Sequence, residues 1–406
     1  MAIFSSRDAG RAVEVGFDDT VGFLQKLVRV PSLLGQEEPA QELVEERLRR
    51  LGFEVRSIVP DAARLAERPD SGIPLMPYDG RRCLVATIGG GHGPSLLLNG
   101  HVDVVSAEPL HRWTKEPFGA EISDGRLYGR GACDMKGGIA AMLLGVEAAL
   151  AAGPLPGPVI YQSVLEEECG GNGALAACLE GPTGDATLIA EPTNRGMDLV
   201  AVGVIWARIV LEANSRHASD ADRGTNPVEA AFPVISALHD LEAELNADPD
   251  PELDGLEHPY LLNVGALHAG DWPSMTPGEA VLDVRLGFPI RMEPAEAQKR
   301  LAAAVERADS SARVEFRGFR ARGYAFDPES PFVRLLGDCH EEARGGRPHP
   351  DPSRATTDLR FFQPGQAVCY GPTGEGLHGV DEWVDLASIA DVATVIALLI
   401  RRWSAT

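Results

Sequence analysis

The stretch Leu96-Leu97-Leu98-Asn99-Gly100-His101-Val102-Asp103 places two polar side chains directly behind a short apolar run. The apolar run has the length and composition of a buried β-strand. In α/β sheets, ligands gather beyond the carboxyl ends of the strands, and His101 and Asp103 would lie at such an end. Residues two apart in extended chain point to one face, so the Asp103 carboxylate could accept the second ring N–H of His101. The alternative is a polar strand end followed by a turn.

Strand and helix patterns alternate on both sides of this stretch. The strand patterns are Phe53–Ile58, Cys83–Ile88 and Val159–Leu165, and the helical patterns are Asp18–Val30, Gln36–Leu51 and Gly137–Ala151. Such alternation predicts an α/β sandwich with a mostly parallel sheet. The segment Pro60–Gly80 contains Pro and Asp at several positions, which predicts a long surface loop.

The pattern changes after Glu191-Pro192. Strand patterns follow at Val200–Glu212, Asn263–Leu267, Ala280–Leu286 and Ala312–Phe316, with helical patterns at Pro227–Leu245 and Pro294–Arg307. This β-α-β-β-α-β order is typical of a ferredoxin-like α+β unit. We therefore expect a discontinuous α/β domain of residues 1–199 and 318–406, and an inserted α+β domain of residues 200–317. Two domains suit a chain of 406 residues, since single cores stop growing at about 250–300 residues.

The charge balance excludes several classes of partner. The chain has 37 Lys and Arg against 60 Asp and Glu, a net charge of −23. Nucleic acids and anionic lipids bind through Lys and Arg, so we expect neither a nucleic-acid nor a membrane partner. The six cysteines are scattered, with no Cys-x-x-Cys pair, which favours a cytoplasmic protein without a disulfide framework. The surplus acids either keep a large protein soluble or include metal ligands, and the total charge does not distinguish these.

Four further motifs place acids or a histidine beside glycines or at the ends of apolar runs. They are Gly129–Gly138 around Asp134, Glu166-Glu167-Glu168-Cys169-Gly170-Gly171, Leu188–Thr193 around Glu191, and Gly376–Glu382 around His378. A solvated charge run would explain any one of them. Together with His101 they form a set of ligands that suits two divalent ions sharing one carboxylate. Glu167 would be the free acid beside them.

In motif order and domain plan, nearly the whole chain resembles the M20 family of metallopeptidases and deacylases. This family includes acetylornithine deacetylase, succinyl-diaminopimelate desuccinylase, aminoacylase-1 and the glutamate carboxypeptidases. The resemblance implies a zinc-peptidase-like catalytic domain with these metal ligands: His101 and Glu191 for the first ion, Glu168 and His378 for the second, and Asp134 bridging both. It also implies that Asp103 orients His101, that Glu167 is the general base, and that the bond between Asp134 and Met135 is cis.

The inserted domain resembles the dimerisation, or lid, domain of the same family. By this resemblance, His217 reaches the substrate from a partner subunit, which implies a homodimer. Asn226 and Arg285 are implied to contact the substrate, with Arg285 holding its carboxylate; the alternative for Arg285 is a surface ion pair. Ser274 stands where many members have Asn, and the surrounding Asp-Trp-Pro-Ser stretch is most similar to the acetylornithine-deacetylase-like branch.

The implied activity is metal-assisted hydrolysis of an amide bond. Two Zn²⁺ ions, or Co²⁺ as the alternative, would be the cofactors of a deacylase acting on an N-acyl amino acid or a related small amide. Glu167 would take a proton from the attacking water and pass it to the leaving amine, while His217 would stabilise the oxyanion. A metallo-carboxypeptidase or dipeptidase uses the same chemistry and stays open as an alternative. A non-catalytic M20-like binding scaffold would lack ligands, and none is missing here.

Overall fold

The computed structural model describes residues 4–89, 91–362 and 366–405. The helices are α1 (Ser6–Val28), α2 (Glu38–Arg50), α3 (Ala62–Ala66), α4 (Gly138–Ala151), α5 (Asn172–Glu180), α6 (Pro227–Leu245), α7 (Pro294–Ala308), α8 (Pro331–Arg344) and α9 (Leu386–Trp403). The strands are β1 (Glu54–Ile58), β2 (Cys83–Ile88), β3 (Leu96–His101), β4 (Glu121–Ser123), β5 (Arg126–Tyr128), β6 (Val159–Val164), β7 (Ala186–Ile189), β8 (Met197–Ala201), β9 (Gly203–Glu212), β10 (Leu262–Ala269), β11 (Glu279–Phe288), β12 (Arg313–Ala321), β13 (Tyr324–Ala325), β14 (Pro350–Ser353), β15 (Ala367–Cys369), β16 (Gly374–Glu375) and β17 (Trp383–Asp385).

Nine strands form the large sheet, in the order β1-β2-β6-β3-β7-β15-β8-β13, with β14 paired to β8. The four central strands β6, β3, β7 and β15 run parallel to one another. Strand β2 is antiparallel to β1 and β6, and β8 is antiparallel to β15 and β13. The predicted α/β class is confirmed. The expectation of a mostly parallel sheet holds for the four central strands and for β14 beside β8, and is wrong for the pairs that β1, β2, β8 and β13 form with their other neighbours.

Strand β3 lies in the middle of this sheet and is buried along its whole length. Leu96 and Leu98 belong to the core that the sheet forms with α1, α4 and α9. Leu97 belongs to a smaller core that includes residues of α5. Because both faces of the strand are covered, its sequence is a continuous apolar run instead of an alternating one.

Strands β10-β11-β9-β12 form a separate antiparallel sheet in that order. Helices α6 and α7 pack on it and share a core of its own. The chain order β9-α6-β10-β11-α7-β12 is the ferredoxin-like connectivity that the sequence predicted. Strand β8 continues to Ala201 in the large sheet, and β12 continues to Ala321 in the small one. The chain therefore leaves the large sheet after Ala201 and leaves the small sheet after Ala321, a few residues beyond the predicted boundaries at positions 199 and 317.

A third sheet, β16-β17-β5-β4, holds the loop between β16 and β17. The segment Pro60–Gly80 is mostly exposed and irregular, as predicted, but it also contains α3 and the buried Tyr78, and Ile73 forms a β-bridge with Gly318. Within the described ranges, no helix combines the length and the apolar character needed to cross a lipid bilayer.

Candidate metal centre

Three neighbouring parallel strands bring polar side chains to one edge of the large sheet. The strand ends carry His101 on β3, Glu167 and Glu168 just after β6, and Glu191 just after β7. Strand β3 lies between β6 and β7, so the carboxyl ends of all three meet at the same place. This is the edge at which α/β proteins build their sites.

The Asp134 carboxylate lies between two imidazole rings. Its Oδ1 is 3.2 Å from Nε2 of His101, and its Oδ2 is 3.5 Å from Nε2 of His378. Glu191 Oε2 lies 3.9 Å from the same nitrogen of His101. Glu168 Oε2 lies 3.0 Å from that of His378. Each histidine thus has a second carboxylate of its own, and both histidines share Asp134. The peptide bond after Asp134 is cis, as expected.

The chemistry of these donors fits divalent metal ions. One ligand atom each from His101, Asp134 and Glu168 lies within 4.8 Å of the other two. Imidazole nitrogens combined with carboxylate oxygens are the ligand set of Zn²⁺ and of similar divalent ions. A carboxylate that presents one oxygen to each of two histidines can bridge two such ions.

Electrostatics within the cluster favour added positive charge. Burial opposes the charged form of His378, but hydrogen bonds with Asp134 and Glu168 outweigh it and raise the pKa to about 11. Despite its burial, Asp134 has a pKa below the usual range because it is hydrogen-bonded to His101 and His378. Burial also raises the pKa of Glu191 well above its usual range. Nearby positive charge stabilises the ionised carboxylates of this cluster, and a bound divalent cation would supply that charge.

Glu167 carries a buried carboxylate beside this cluster. Among the described residues, its Oε1 has no hydrogen-bond partner. Burial and, secondly, the negative charge of Asp358 raise the pKa of Glu167 well above its usual range. Its backbone N–H donates to Asp103 Oδ1 at 3.3 Å, which holds the loop and leaves the carboxylate free. A positioned acid of this kind can accept and return a proton.

Asp103 contacts His101 more closely through its backbone carbonyl than through its carboxylate. His101 Nδ1 lies 2.9 Å from the Asp103 carbonyl oxygen but 3.7 Å from its carboxylate. The backbone carbonyl therefore fixes the ring, and the carboxylate accepts the backbone N–H groups of Glu167 and Glu168 instead. Strand β3 ends at His101, so the rule that residues two apart share a face no longer applies at Asp103. The Asp103 carboxylate ties the β3 end to the β6 end.

Glu382 is a residue of this site that the sequence analysis did not identify. It is fully buried, and its Oε1 accepts the backbone N–H groups of Cys133 at 2.9 Å and Asp134 at 3.1 Å. Its Oε2 accepts a hydrogen bond from Arg130 Nη1 at 2.6 Å. Since Glu382 is in the same loop as His378, one carboxylate joins the backbone of Asp134 to the loop of His378. The only signal in the sequence was an acid at the end of the His378 motif.

We expect Glu382→Gln to weaken metal binding by about tenfold to a hundredfold, as loss of a residue that orients ligands does. The amide keeps one acceptor oxygen and turns its NH₂ group towards N–H donors, so the loop loses either its bonds from Cys133 and Asp134 or those from Arg130 and Gly131. Competition with a chromophoric chelator measures the affinity, and circular dichroism checks the fold. Glu375→Gln, an exposed acid of β16, is the matched control and should bind metal normally. Equal affinities in the two variants would show that Glu382 does not position the metal ligands.

A pocket of about 290 Å³ opens onto these residues. Besides the site acids and His378, its lining includes Asp198, Val204, Trp206, Arg285, Phe319 and Thr357. Arg285 reaches the pocket from β11, and its Nη2 donates to the carbonyl of Arg354 at 2.7 Å. In the part of the chain that the structure describes, Arg285 has no acidic partner. The alternative of a surface ion pair is therefore not observed.

Three other predicted contacts lie outside this pocket within one chain. His217 is exposed, and its Nδ1 accepts the backbone N–H of Ser219 at 3.2 Å. Asn226 caps the N-terminus of α6. Ser274 is exposed, and its carbonyl accepts the backbone N–H of Ala218 at 2.9 Å. A single chain does not bring these side chains to the candidate metal ligands.

The fold and the site together define a metal-dependent hydrolase. The chain belongs to peptidase family M20/M25/M40, whose sequence profile matches residues 97–402. It is similar to a succinyl-diaminopimelate desuccinylase of Leptothrix cholodnii, with 28% identity over 394 residues that cover 93% of this chain and 96% of the relative. The resemblance to the M20 family is confirmed, and the chain is a hydrolase of amide bonds.

Solved structures show the same fold. The dipeptidase Dug1p of Saccharomyces cerevisiae superposes with a TM-score of 0.83 at 16% identity, covering 100% of both chains. YXEP of Bacillus subtilis, described as a dinuclear metal-binding peptidase of family M20, superposes with a TM-score of 0.62 at 18% identity, covering 97% of this chain and 99% of the other. These similarities extend over nearly the whole of each chain, so the large sheet and the ferredoxin-like sheet both belong to the shared architecture.

Proposed function

We propose that this chain is a di-metal amidohydrolase that removes the acyl group from an N-acyl amino acid or a related small amide. The observation that carries the proposal is the position of Asp134, which presents one carboxylate oxygen to His101 and the other to His378. We propose Zn²⁺ as the native ion, because mixed imidazole and carboxylate ligands suit it, with Co²⁺ as the alternative.

The ligand roles follow the geometry. His101, Asp134 and Glu191 would hold one ion, and Asp134, Glu168 and His378 would hold the other. The bound ions would polarise the substrate carbonyl and lower the pKa of water at the site. Glu167 would take the proton of the attacking water and deliver it to the leaving nitrogen, since its carboxylate is free and faces the same pocket. Arg285 would bind the substrate carboxylate.

The pocket supports a small substrate. Its volume of about 290 Å³ lies at the lower end of ligand sites, which span about 300–1,000 Å³. The curated relative named as a desuccinylase supports a deacylase, and the dipeptidase neighbour supports the alternative of a dipeptidase or metallo-carboxypeptidase. Both reactions break an amide bond next to an amino acid, so the same ligands and base serve either.

A substrate panel tests the proposal. Protein loaded with Zn²⁺ or Co²⁺ is offered N-formyl, N-acetyl and N-succinyl amino acids and dipeptides, and release of the free amine is measured. Faster turnover of the acyl amino acids supports the deacylase, and faster turnover of dipeptides supports the alternative. Metal binding without any turnover would favour a binding scaffold.

We further propose that residues 200–317 form the dimerisation domain of a cytoplasmic homodimer, with residues 1–199 and 318–406 as the catalytic domain. Large apolar side chains are exposed on this part of the chain, among them Phe232, Leu267, Trp272 and Met275. Strand β10 is an edge strand of the small sheet. Such a surface suits a two-fold interface between copies. A homodimer would let His217, Asn226 and Ser274 reach the pocket of the partner subunit.

Subunit complementation tests a shared site. Glu167→Ala and His217→Ala proteins, each inactive alone, are mixed, unfolded together and refolded. Random pairing gives mixed dimers in which one of the two sites has both residues intact, so we expect about a quarter of the wild-type activity. The activity of the mixture against that of each variant refolded alone is the measurement. A mixture as inactive as its components would contradict a site shared between subunits.

A further inference from the structure

Within the described ranges, two opposite charges in the pocket wall have no partner of opposite charge. Asp198 lies on β8 of the large sheet, and Arg285 lies on β11 of the small sheet. Both line the pocket that contains Asp134 and Glu167. Among the described residues, Arg285 donates only to a backbone carbonyl, and the Asp198 carboxylate makes no hydrogen bond or ion pair. The two are therefore too far apart to pair with each other, although they share one pocket.

The surroundings of Asp198 raise the free energy of its ionised carboxylate. Asp351 is its direct partner on the neighbouring strand β14, so a second carboxylate faces the same strand position. Like charges directly opposite each other destabilise a sheet. Burial and, secondly, the charge of Asp351 raise the pKa of Asp198 to about 7. Asp198 is half-buried, and a charged group withdrawn from water without a partner gains free energy when a ligand brings the opposite charge.

The rest of the wall suits an aliphatic chain between the two charges. Val204, Trp206 and Phe319 line the same pocket, and the rings of Trp206 and Phe319 pack edge to face at 5.1 Å. A carboxylate at one end and an ammonium group at the other would meet Arg285 and Asp198, with methylene groups against these apolar side chains.

We propose that Asp198 is a specificity-determining residue that binds an ammonium group of the substrate. This inference rests on the proposed amidohydrolase function and narrows its substrate to amides that carry both a carboxylate and an ammonium group. The ammonium group has two chemical sources: the side chain of an N-acyl diamino acid or the free amino terminus of a dipeptide. Asp198 then selects against neutral substrates of the same shape.

Matched substrates that differ only in charge test the role of Asp198. Nα-acetyl-L-ornithine is compared with Nα-acetyl-L-norleucine, in which a methyl group replaces the ammonium group. Glycyl-L-norleucine is compared with propionyl-L-norleucine in the same way, so the two pairs distinguish the two sources. The wild-type enzyme should prefer the charged member of one pair in kcat/KM. In Asp198→Asn we expect kcat/KM for that member to fall by about a hundredfold, with little change for the neutral member. Asp351→Asn, which removes the exposed acid on the neighbouring strand, is the control and should keep the preference.

Calorimetric binding of the same four amides to the metal-loaded protein separates this inference from the proposed function. If the wild-type protein hydrolyses none of the amides, the proposed function fails. The role of Asp198 is still decided by whether Asp198→Asn loses the binding of the charged member of one pair while its binding of the neutral member is unchanged. Equal losses for charged and neutral ligands, or no loss for either, would overturn the role of Asp198.

Discussion

Replacing Glu167 with glutamine is expected to lower kcat by about a thousandfold, within the range that general acid–base catalysis contributes. The amide has nearly the same shape as the carboxylate but cannot carry a proton from water to the leaving nitrogen. The Glu167 side chain makes no hydrogen bond to the metal ligands among the described residues. Metal content should therefore stay at two ions per chain while turnover is lost.

Steady-state kinetics and elemental analysis of the same preparation measure both quantities. Glu166→Gln is a matched control, since the substitution is identical and lies one position earlier. The Glu166 carboxylate faces Arg81, with 3.5 Å between Oε2 and Nη1, and that side chain does not line the pocket. We expect this control to keep most of its kcat. A Glu167→Gln enzyme as active as the control would contradict the assignment of Glu167 as the general base.

The second large effect is expected for Asp134→Asn, which should weaken metal binding at least about a hundredfold, because even residues that only orient ligands contribute up to that factor. Asparagine keeps one oxygen but turns an NH₂ group towards one of the two imidazole nitrogens. It also removes the negative charge that holds the pKa of His378 high. One metal position should be lost outright, and the hydrolytic activity with it.

Calorimetric titration with Zn²⁺ gives the number of ions bound and their affinities. Asp124→Asn serves as the control: Asp124 is exposed and has a positive φ, a conformation that asparagine tolerates well. This control should bind two ions with wild-type affinity. Two ions bound equally tightly by Asp134→Asn would contradict the bridging role.

Much of the metal centre could be predicted because its signals are local in the sequence. His101 and Glu191 each follow an apolar run, and Glu168 follows another, so strand ends could be recognised one by one. Parallel strands place such ends at one edge, whatever their exact order. Helix α1 was predicted less well, since it begins at Ser6 instead of Asp18. Its first turns are held by a Ser5–Asp8 capping box and by the packing of Ala9 and Val13, which gave no strong periodic pattern.

The contacts that hold the ligands in place could not be read from local patterns. The Asp103 carboxylate binds backbone N–H groups more than sixty positions away, and Glu382 binds backbone N–H groups about 250 positions away. Every residue except proline has a backbone N–H group, so the sequence does not show which residue donates such a hydrogen bond. The antiparallel strands of the large sheet were missed for a similar reason. Strand β2 is apolar and largely buried like the central strands, and such a composition does not show the direction of its neighbours.

Local composition and spacing by themselves determined the α/β class, the ferredoxin-like unit and the candidate ligands. Each depends on periodicity or on residues that follow one strand, and both are properties of short segments. Only the tertiary structure decided that Asp134 presents one oxygen to each histidine, and that the opposite charges of Asp198 and Arg285 share a pocket. Those distances arise where separate sheets and loops pack together, and the free energy of an unpaired buried charge depends on everything around it.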